Sequence, residues 1–323
     1  MFQDKGVARL LAPSASQTIF RVLTPVQANN STESLEKMKK RLILCLVVIL
    51  FSCISAAAQQ SQPPMQPLTF WYGYTINPGK EDEFLDLVKT VGQPVRDKLM
   101  TDGVVLAWGV QVSLLRVPGN STHFIWYAVA DYAGVEKVDS AMRAQISKLN
   151  DEASKSGVAK KGQKPTTSLT ARLGEIADMS KVHDYLTRDL VIGLSSSAPA
   201  GVLPYTRFNF FKVKPGKAAD FRKAWEKYNK PVFEKLMADG VVLAYGLAVE
   251  EIRTEGEFTH FVWYDVKDLG SLDKVRAAFT ADREHRSEEE QDSLTHLFVS
   301  LQDVDASRSE VYRSLIFHVS MPK

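Results

Sequence analysis

Two copies of one histidine and tyrosine arrangement are the first residues in this sequence whose types could do chemistry. They occur in the hexapeptides THFIWY and THFVWY, which contain His123 with Tyr127 and His260 with Tyr264. Alternation along a β-strand places each histidine on the same face as its tyrosine. Such a pair in an apolar cavity can serve as acid, base or axial metal ligand. The alternative, which we favour, is a hydrogen-bonded structural histidine kept in both copies.

Charged and amide side chains inside apolar strands are the second set of candidates. Arg188 and Arg313 occupy corresponding positions in the two copies. Each either binds an anionic group or pairs at a sheet edge with a carboxylate such as Asp189. Asn209 stands where the first copy has Tyr72. It indicates either a ligand site in one half only or an amide whose hydrogen bonds are satisfied structurally.

Several kinds of chemistry find no support in the sequence. It contains no H-x-x-x-H pair or carboxylate cluster with metal-ligand spacing, and no phosphate-binding glycine motif, so we predict no metal site and no nucleotide chemistry. The formal net charge is +2, with lysines and glutamates interspersed, which argues against a nucleic-acid partner. Both cysteines, Cys45 and Cys53, lie in one apolar run near the start, so the folded part has no cysteine chemistry.

That apolar run has the order of charges, apolar residues and small residues typical of a secretory signal peptide. We predict a signal peptide over residues 38–58, with a short apolar core from Leu42 to Ile54. The core is short for a membrane anchor, so we expect no transmembrane segment in the mature chain. The protein is then periplasmic or secreted, with lipoprotein anchoring at Cys53 as an alternative. Residues 1–37 are interpreted as a disordered extension upstream of the true start, Met38.

The rest of the sequence repeats itself. KLMTDGVVLAWG returns as KLMADGVVLAYG 137 positions later, and NPGKEDEF returns as KPGKAADF at the same offset. A register held this long indicates duplication of one domain. We place a linker at 59–66, a first domain at 67–195, a linker at 196–203 and a second domain at 204–323.

Each copy has the pattern of a ferredoxin-like β-α-β-β-α-β domain. The first strand is predicted at 68–76, a helix follows from Lys80, and Pro94 interrupts that helix. The last strand of the second copy is predicted to begin at Glu310. A lone four-stranded sheet would leave one apolar face bare, so we expect the two copies to cover each other as an intramolecular pseudo-dimer.

In this order of elements and in the PGK and DGV turns that flank the first helix, residues 67–320 resemble the dimeric α/β-barrel superfamily in a fused form. The resemblance implies an α+β fold in which two ferredoxin-like domains form one barrel. That superfamily includes quinol and antibiotic-biosynthesis monooxygenases, haem-degrading monooxygenases, small isomerases and non-catalytic binding domains. The haem-degrading members share an Asn, Trp, His trio. Asn209, Trp263 and His285 are of the right types, but their spacing departs from that pattern and His285 lies in a charged helical run, so none is carried over.

Together these patterns predict an exported protein that binds a small apolar or aromatic molecule. Cofactor-independent oxidation or isomerisation is the chemistry we consider, and we predict no cofactor, with haem left open. The alternative is a non-catalytic envelope protein whose barrel is filled by its own side chains. An internal cavity distinguishes the two, since only the first function needs one.

Overall fold

The computed structural model describes residues 66–117, 120–157, 168–195, 201–253 and 258–320. The predicted signal peptide and the segment before it lie outside these ranges, as does most of each predicted linker. None of the helices in the described ranges is both long enough and apolar enough to cross a membrane.

Each half of the chain contributes four strands and their connecting helices. The strands of the first half are β1 (Leu68–Tyr74), β2 (Val105–Ser113), β3 (His123–Val129) and β4 (His183–Leu194). Those of the second half are β5 (Tyr205–Val213), β6 (Val242–Ile252), β7 (His260–Val266) and β8 (Gln302–Val319). The helices of the first half are α1 (Glu81–Leu87), α2 (Gln93–Thr101), α3 (Tyr132–Gly157) and α4 (Leu169–Ile176). Those of the second half are α5 (Ala218–Tyr228), α6 (Lys230–Ala238), α7 (Gly270–Glu284) and α8 (Glu288–Leu301).

The eight strands form a closed antiparallel barrel in the order β1-β3-β2-β8-β5-β7-β6-β4. The two halves have the same internal order, β4-β1-β3-β2 and β8-β5-β7-β6. They meet at two seams, where β2 pairs with β8 and β4 pairs with β6. Closure leaves no free sheet edge, so each half completes the hydrogen bonding of the other.

The last strand is longer than the sequence predicts. It begins at Gln302 rather than at Glu310, because its first part pairs with β5 and its second part crosses the seam to pair with β2. The segment QDVDASRS that opens β8 is polar and has no β-branched alternation, so no strand was predicted there. This prediction was therefore wrong at the start of the strand and right over its second part.

Proline and glycine divide the helices as predicted. Pro94 lies in the first turn of α2 and Pro231 in the first turn of α6, so a new helix begins at each proline. In the first half a π-helical turn over Val88–Gly92 joins α1 to α2. Gly103 and Gly240 follow α2 and α6 with φ of 73° and 68°, a conformation that favours glycine after a helix.

Alternate side chains of each strand face in opposite directions. The outward side chains pack under the helices in two separate cores, one per half, which contain for example Leu68, Phe84 and Trp108 in the first half and Phe221 and Tyr245 in the second. The inward side chains surround the barrel interior. The sheet face that a lone half would leave bare therefore lies inside the closed barrel, and this inward face is where the two halves can share a site.

Candidate functional site

The interior of the barrel contains two neighbouring cavities in the described part of the chain. The larger has a volume of about 280 Å³ and the smaller about 80 Å³. They are separated by side chains common to both walls, namely Trp71, Gln111, Thr187, Phe208 and Phe261. The wall of the larger cavity is mainly apolar with a few polar groups, which is the usual composition of a small-molecule site.

Asp265 is the polar group of the larger cavity that is best placed for chemistry. It lies on β7 directly opposite Thr206 of β5. The Thr206 hydroxyl donates to Asp265 Oδ1 at 2.6 Å, and Gln111 Nε2 donates to the Thr206 hydroxyl at 2.8 Å. Within the described part of the chain, no hydrogen bond reaches Asp265 Oδ2. This carboxyl therefore lines the cavity with one of its oxygens uncommitted.

Burial raises the pKa of Asp265 to about 7, and the hydrogen bond from Thr206 only partly opposes that rise. Both the protonated and the ionised form of the carboxyl are therefore accessible near neutral pH. A group in that state can both take and return a proton under the same conditions, which is what a general acid or base requires.

Asp189 is a second buried carboxyl in the same cavity, but both of its oxygens are engaged. Trp263 Nε1 donates to Oδ1 at 2.8 Å, and the Thr69 hydroxyl lies 3.4 Å from Oδ2. Burial raises the pKa of Asp189 to about 7 against the opposing effect of these two donors. Since Asp189 lies on β4 and Trp263 on β7, this contact ties the first half of the barrel to the second.

Two tryptophans lie close against glycines of the neighbouring strand. Trp126 is opposite Gly109, and Trp263 is opposite Gly246. A Cβ at Gly109 would lie 2.9 Å from Trp126 Nε1, and one at Gly246 would lie 2.4 Å from Trp263 Nε1. The glycines are therefore what allows each indole to lie against the barrel wall beside the larger cavity.

The charged groups of the smaller cavity are paired with one another. Glu310 accepts from Arg308 Nε at 3.1 Å, from Asn120 Nδ2 at 3.3 Å and from the Tyr312 hydroxyl. The Arg308 guanidinium also lies over the ring of Phe210, 4.6 Å from its centre. Burial and the adjacent Glu310 raise the pKa of Tyr312, which keeps it protonated. This network gives the Glu310 carboxylate its partners within the protein and leaves the larger cavity as the candidate site.

The structure places both predicted histidine and tyrosine pairs outside the barrel interior. His123 and Tyr127 belong to the outward face of β3, and His260 and Tyr264 to the outward face of β7. The His123 ring lies 5.4 Å from that of Phe84, and Nδ1 is 2.9 Å from the Thr122 hydroxyl.

His260 repeats this environment in the second half. Its ring is 5.5 Å from that of Phe221, and its Nδ1 is 3.0 Å from the Thr259 hydroxyl. Burial lowers the pKa of both His123 and His260 to about 4, so each is neutral at neutral pH. Identical packing and hydrogen bonding in both halves agree with the structural interpretation of these histidines.

The remaining predicted residues are not brought together either. Arg188 makes a two-pronged ion pair with Glu251 across the seam, at 2.9 Å and 2.6 Å, rather than with Asp189. Arg313 is exposed on β8. Asn209 accepts hydrogen bonds from the Ser309 hydroxyl at 2.7 Å and from Arg207 Nε at 3.3 Å, so its amide has protein partners.

No protein-family model matches the sequence, and no curated protein matches it. Among solved structures, a protein of Fusobacterium nucleatum subsp. nucleatum that is provisionally assigned as a monooxygenase is similar, with a TM-score of 0.52 and 13% identity over 80% of this chain and 96% of that one. This chain shares that barrel fold. The likeness confirms the predicted α/β-barrel architecture and says nothing about chemistry.

Two further structures are similar at a lower level. A provisionally assigned monooxygenase of Lactobacillus acidophilus has a TM-score of 0.46 and 10% identity, covering 79% of this chain and 96% of that one. A haem-binding protein of Thermus thermophilus has a TM-score of 0.43 and 8% identity, covering 77% of this chain and 92% of that one.

Haem does not fit the donor set of the larger cavity. Among the residues that the structure describes, no histidine, cysteine, methionine or tyrosine lines its wall, so none of the usual axial ligands is present. Trp263 of the residue trio considered above faces the interior, whereas Asn209 faces outward from β5 and His285 is exposed after α7. Nor do any three described His, Cys, Asp or Glu side chains come together as a metal site.

Sequence reasoning missed the residues that form the site. Asp265 occurs in the motif THFVWYDV, where the first copy has THFIWYAV with Ala128 in the same place. That replacement puts a carboxyl at an inward strand position, and comparing the two copies residue by residue could have revealed it. Asn209 is an equally clear difference between the copies, but it lies on the outward face of β5.

Proposed function

We propose that this protein binds a small, largely apolar molecule inside the barrel and that Asp265 transfers a proton to or from it. One observation carries the proposal: a cavity of about 280 Å³ contains a buried carboxyl that has a pKa of about 7 and one uncommitted oxygen. Apolar walls supply binding energy in proportion to the area that the ligand buries. The alternative of a barrel filled by its own side chains does not agree with a cavity of this size.

Proton removal is the first step shared by the two reactions we considered. In an isomerisation, the Asp265 carboxylate takes a proton from a carbon of the bound molecule and returns it to another carbon, with no further reactant. In a cofactor-independent oxidation, the same deprotonation generates the carbanion or enolate that reacts with oxygen. In either case Thr206 and Gln111 hold the carboxyl in place through its Oδ1. Asp189 is not assigned this role because both of its oxygens accept hydrogen bonds.

We also propose that the two halves are tandem ferredoxin-like domains and that the protein is exported. The first proposal is supported by the identical strand order of the halves and by the repeated sequence. The second is supported by the charged, apolar and small-residue order over residues 38–58. Expression from Met38 followed by mass measurement of the mature protein tests it, since a processed chain beginning near Gln59 is expected.

Ligand-induced thermal stabilisation tests the binding function. The compounds are neutral one-ring and two-ring aromatics, and the variant is Ala244→Phe, which fills the cavity at the position opposite Asp265. Ala277→Phe on the exposed face of α7 is the matched control. We expect stabilisation in the wild type and in the control but not in Ala244→Phe. Equal stabilisation of all three proteins would place the binding outside the barrel and overturn the proposal.

Hydrogen exchange tests the proton transfer without knowledge of the natural substrate. The bicyclic ketone 1-tetralone loses its C2 protons slowly in heavy water, and NMR follows their replacement by deuterium. We expect the wild type to accelerate this exchange and Asp265→Asn to lose most of the acceleration, while Asp189→Asn retains it. Unchanged exchange in Asp265→Asn would remove the role of Asp265 and leave binding as the function.

A further inference from the structure

The larger cavity lies between two walls that the pseudo-symmetry of the barrel makes equivalent. Strands β3, β2 and β8 form one wall, and β7, β6 and β4 form the other. Corresponding strands are four places apart in a closed barrel of eight, so the walls face each other across the interior. Corresponding side chains that line the cavity are, in the first wall, Ala107, Trp126, Ala128, Phe317 and Val319, and in the second, Ala244, Trp263, Asp265, Ile192 and Leu194. We call these two sets the ring wall and the carboxyl wall.

Backbone pairing shows which residues of the two walls correspond. Phe317 is opposite Gly109 and Ile192 is opposite Gly246, and these are the glycines that support the two interior tryptophans. Two residues later on each strand, Val319 is opposite Ala107 and Leu194 is opposite Ala244. The two walls therefore have the same framework, and differences between them lie in the side chains alone.

The walls differ at the two positions that matter most to a ligand. The ring wall has Ala128 where the carboxyl wall has Asp265, and it has Phe317 where the carboxyl wall has Ile192. The ring centres of Trp126 and Phe317 are 5.9 Å apart. The ring wall therefore presents two neighbouring aromatic rings and no carboxyl, whereas the carboxyl wall presents a single aromatic ring and a carboxyl with an uncommitted oxygen.

The polar atoms of the ring side are directed away from the cavity or engaged within the protein. Trp263 donates its indole N–H to Asp189, and the counterpart of Asp189 is Ser314, since the N–H of each donates to the carbonyl of the proline before the first strand of its half, at 3.0 Å and 2.9 Å. Trp126 Nε1 is buried and has no partner in the described part of the chain. Gln111 of β2 uses its Nε2 within the protein, and its Oε1 is buried. Trp126 is therefore accessible to a ligand through its ring and not through its N–H.

A ligand that fills this cavity meets a different surface on each side. Asp265 can take a proton only from a carbon that faces it, so the reacting carbon lies at the carboxyl wall. The face of an aromatic ring carries partial negative charge, which disfavours contact with a carboxylate and favours tilted or offset packing on other rings. Among the described residues, no arginine, lysine or histidine lines the cavity, so an anionic ligand would be buried without a counter-ion.

We infer that the ligand is a neutral compound with an aromatic ring at one end and the acidic carbon at the other, and that Phe317 is the residue that selects the ring. The ring packs against Trp126 and Phe317, while the acidic carbon faces Asp265 across the barrel. A cavity of about 280 Å³ is near the lower limit for small-molecule sites, which suits a ligand of one or two rings. This inference rests on the proposed function and narrows its substrate class.

Binding of 1-tetralone and of 1-decalone, the bicyclic ketone in which both rings are saturated, tests the role of Phe317. The ratio of their dissociation constants is measured for the wild type, for Phe317→Ile and for the matched control Val319→Leu. Each variant gives the ring wall the residue that the carboxyl wall has at that position, but only Phe317→Ile removes a ring. We expect the preference for 1-tetralone to fall about twofold to tenfold in Phe317→Ile, the usual contribution of one ring–ring contact, and to stay unchanged in the control.

The alanine methyl groups report the orientation of the ligand in the unmodified protein, so this second test does not depend on the folding of a variant. Ala107 and Ala128 belong to the ring wall, and Ala244 belongs to the carboxyl wall. With ¹³C-labelled alanine methyl groups, nuclear Overhauser effects identify which protons of bound 1-tetralone lie near each wall. We expect the aromatic protons to contact Ala107 and Ala128, and the C2 protons to contact Ala244.

The outcomes separate this inference from the proposed function. An unchanged ratio in Phe317→Ile, an equal change in Val319→Leu, or contact of the aromatic protons with Ala244 instead would overturn the ring site and leave binding in the barrel intact. Failure of both ketones to bind to the wild type would overturn the binding function and the ring site together.

Discussion

The two halves of the barrel each place a threonine at the same point of their first strand, but they pair it with aspartates from different strands. In the first half Thr69 lies beside Asp189 of β4, and in the second half Thr206 donates to Asp265 of β7. Burial raises the pKa of both carboxyls to about 7. The surroundings differ, however, because Asp189 also accepts from Trp263, whereas Asp265 keeps one oxygen uncommitted.

This difference supports different roles for the carboxyls of the two like halves. One carboxyl holds the two halves together by accepting from a tryptophan across the barrel. The other lies at a position where the first half has Ala128, and only one of its two oxygens accepts a hydrogen bond in the described part of the chain. A raised pKa alone does not separate the two, since buried structural groups show it as well. The hydrogen-bond partners of the two carboxyls differ, and this difference distinguishes them.

The largest expected effect comes from the glycines that support the tryptophans. A Cβ at Gly109 would lie 2.6 Å from the Ile316 carbonyl oxygen as well as 2.9 Å from Trp126 Nε1, and neither neighbour can easily move. We expect Gly109→Ala to lower the free energy of unfolding by about 3 kcal/mol or more, as overpacking of a rigid interior does. Gly246→Ala should be comparably severe. Urea unfolding followed by circular dichroism measures both, and a loss below about 1 kcal/mol in either would break the equivalence of the two tryptophans.

The next effect is a dependence of stability on pH. Asp265 has a raised pKa in the folded state, so this carboxyl binds more protons in the folded protein than in the unfolded chain between pH 4 and pH 7. Its contribution therefore falls as the pH rises through this range and is constant above it. We therefore expect the free energy of unfolding of Asp265→Asn, minus that of the wild type, to increase by about 3 kcal/mol from pH 4 to pH 7.5. Urea unfolding across this range measures it, and a difference independent of pH would contradict the raised pKa.

In the wild type, the titration of His123 and His260 opposes the pH dependence of stability that Asp265 produces. Their pKa of about 4 lies below that of an exposed histidine, so the unfolded chain binds more protons and their contribution rises with pH from about 4 to 6.5. The rising contribution of the histidines opposes the falling contribution of the aspartates. The difference between variant and wild type is consequently the informative quantity, because the histidines cancel in it.

A smaller loss of stability is expected when each aspartate is replaced by the residue at the equivalent position of the other half. The size of the loss should differ between the two aspartates. Asp189→Ser recreates the surroundings of Trp126 around Trp263, and leaving that indole unpartnered should cost about 2 kcal/mol at pH 5. Asp265→Ala recreates Ala128 and should cost less than about 1 kcal/mol, because the Gln111 amide can turn over so that its Oε1, which has no partner among the described residues, accepts from the Thr206 hydroxyl. Urea unfolding at pH 5, where both carboxyls are protonated, compares them. Equal losses would remove the distinction between a structural and a free carboxyl.

The repeated sequence predicted the barrel but not its site. A 137-residue offset and the order of strands and helices are enough to predict two like halves that cover each other, because burial of apolar strands leaves few other arrangements. The site depends on which of two faces a side chain occupies and on contacts between strands far apart in sequence. Asp189 and Trp263 meet only once the barrel closes, and Ser314 matters only because it replaces an aspartate. None of these contacts produces a local pattern.

Proton uptake on ligand binding tests the central claim most directly. An apolar ligand that enters the larger cavity removes any water from Asp265 and raises its pKa further, so the complex should bind additional protons near pH 7. Calorimetric titration of 1-tetralone in buffers of different ionisation enthalpy measures this uptake. The account predicts a fraction of a proton taken up by the wild type and by Asp189→Ser, and none by Asp265→Asn. Binding without proton uptake in the wild type, or equal uptake in Asp265→Asn, would contradict it.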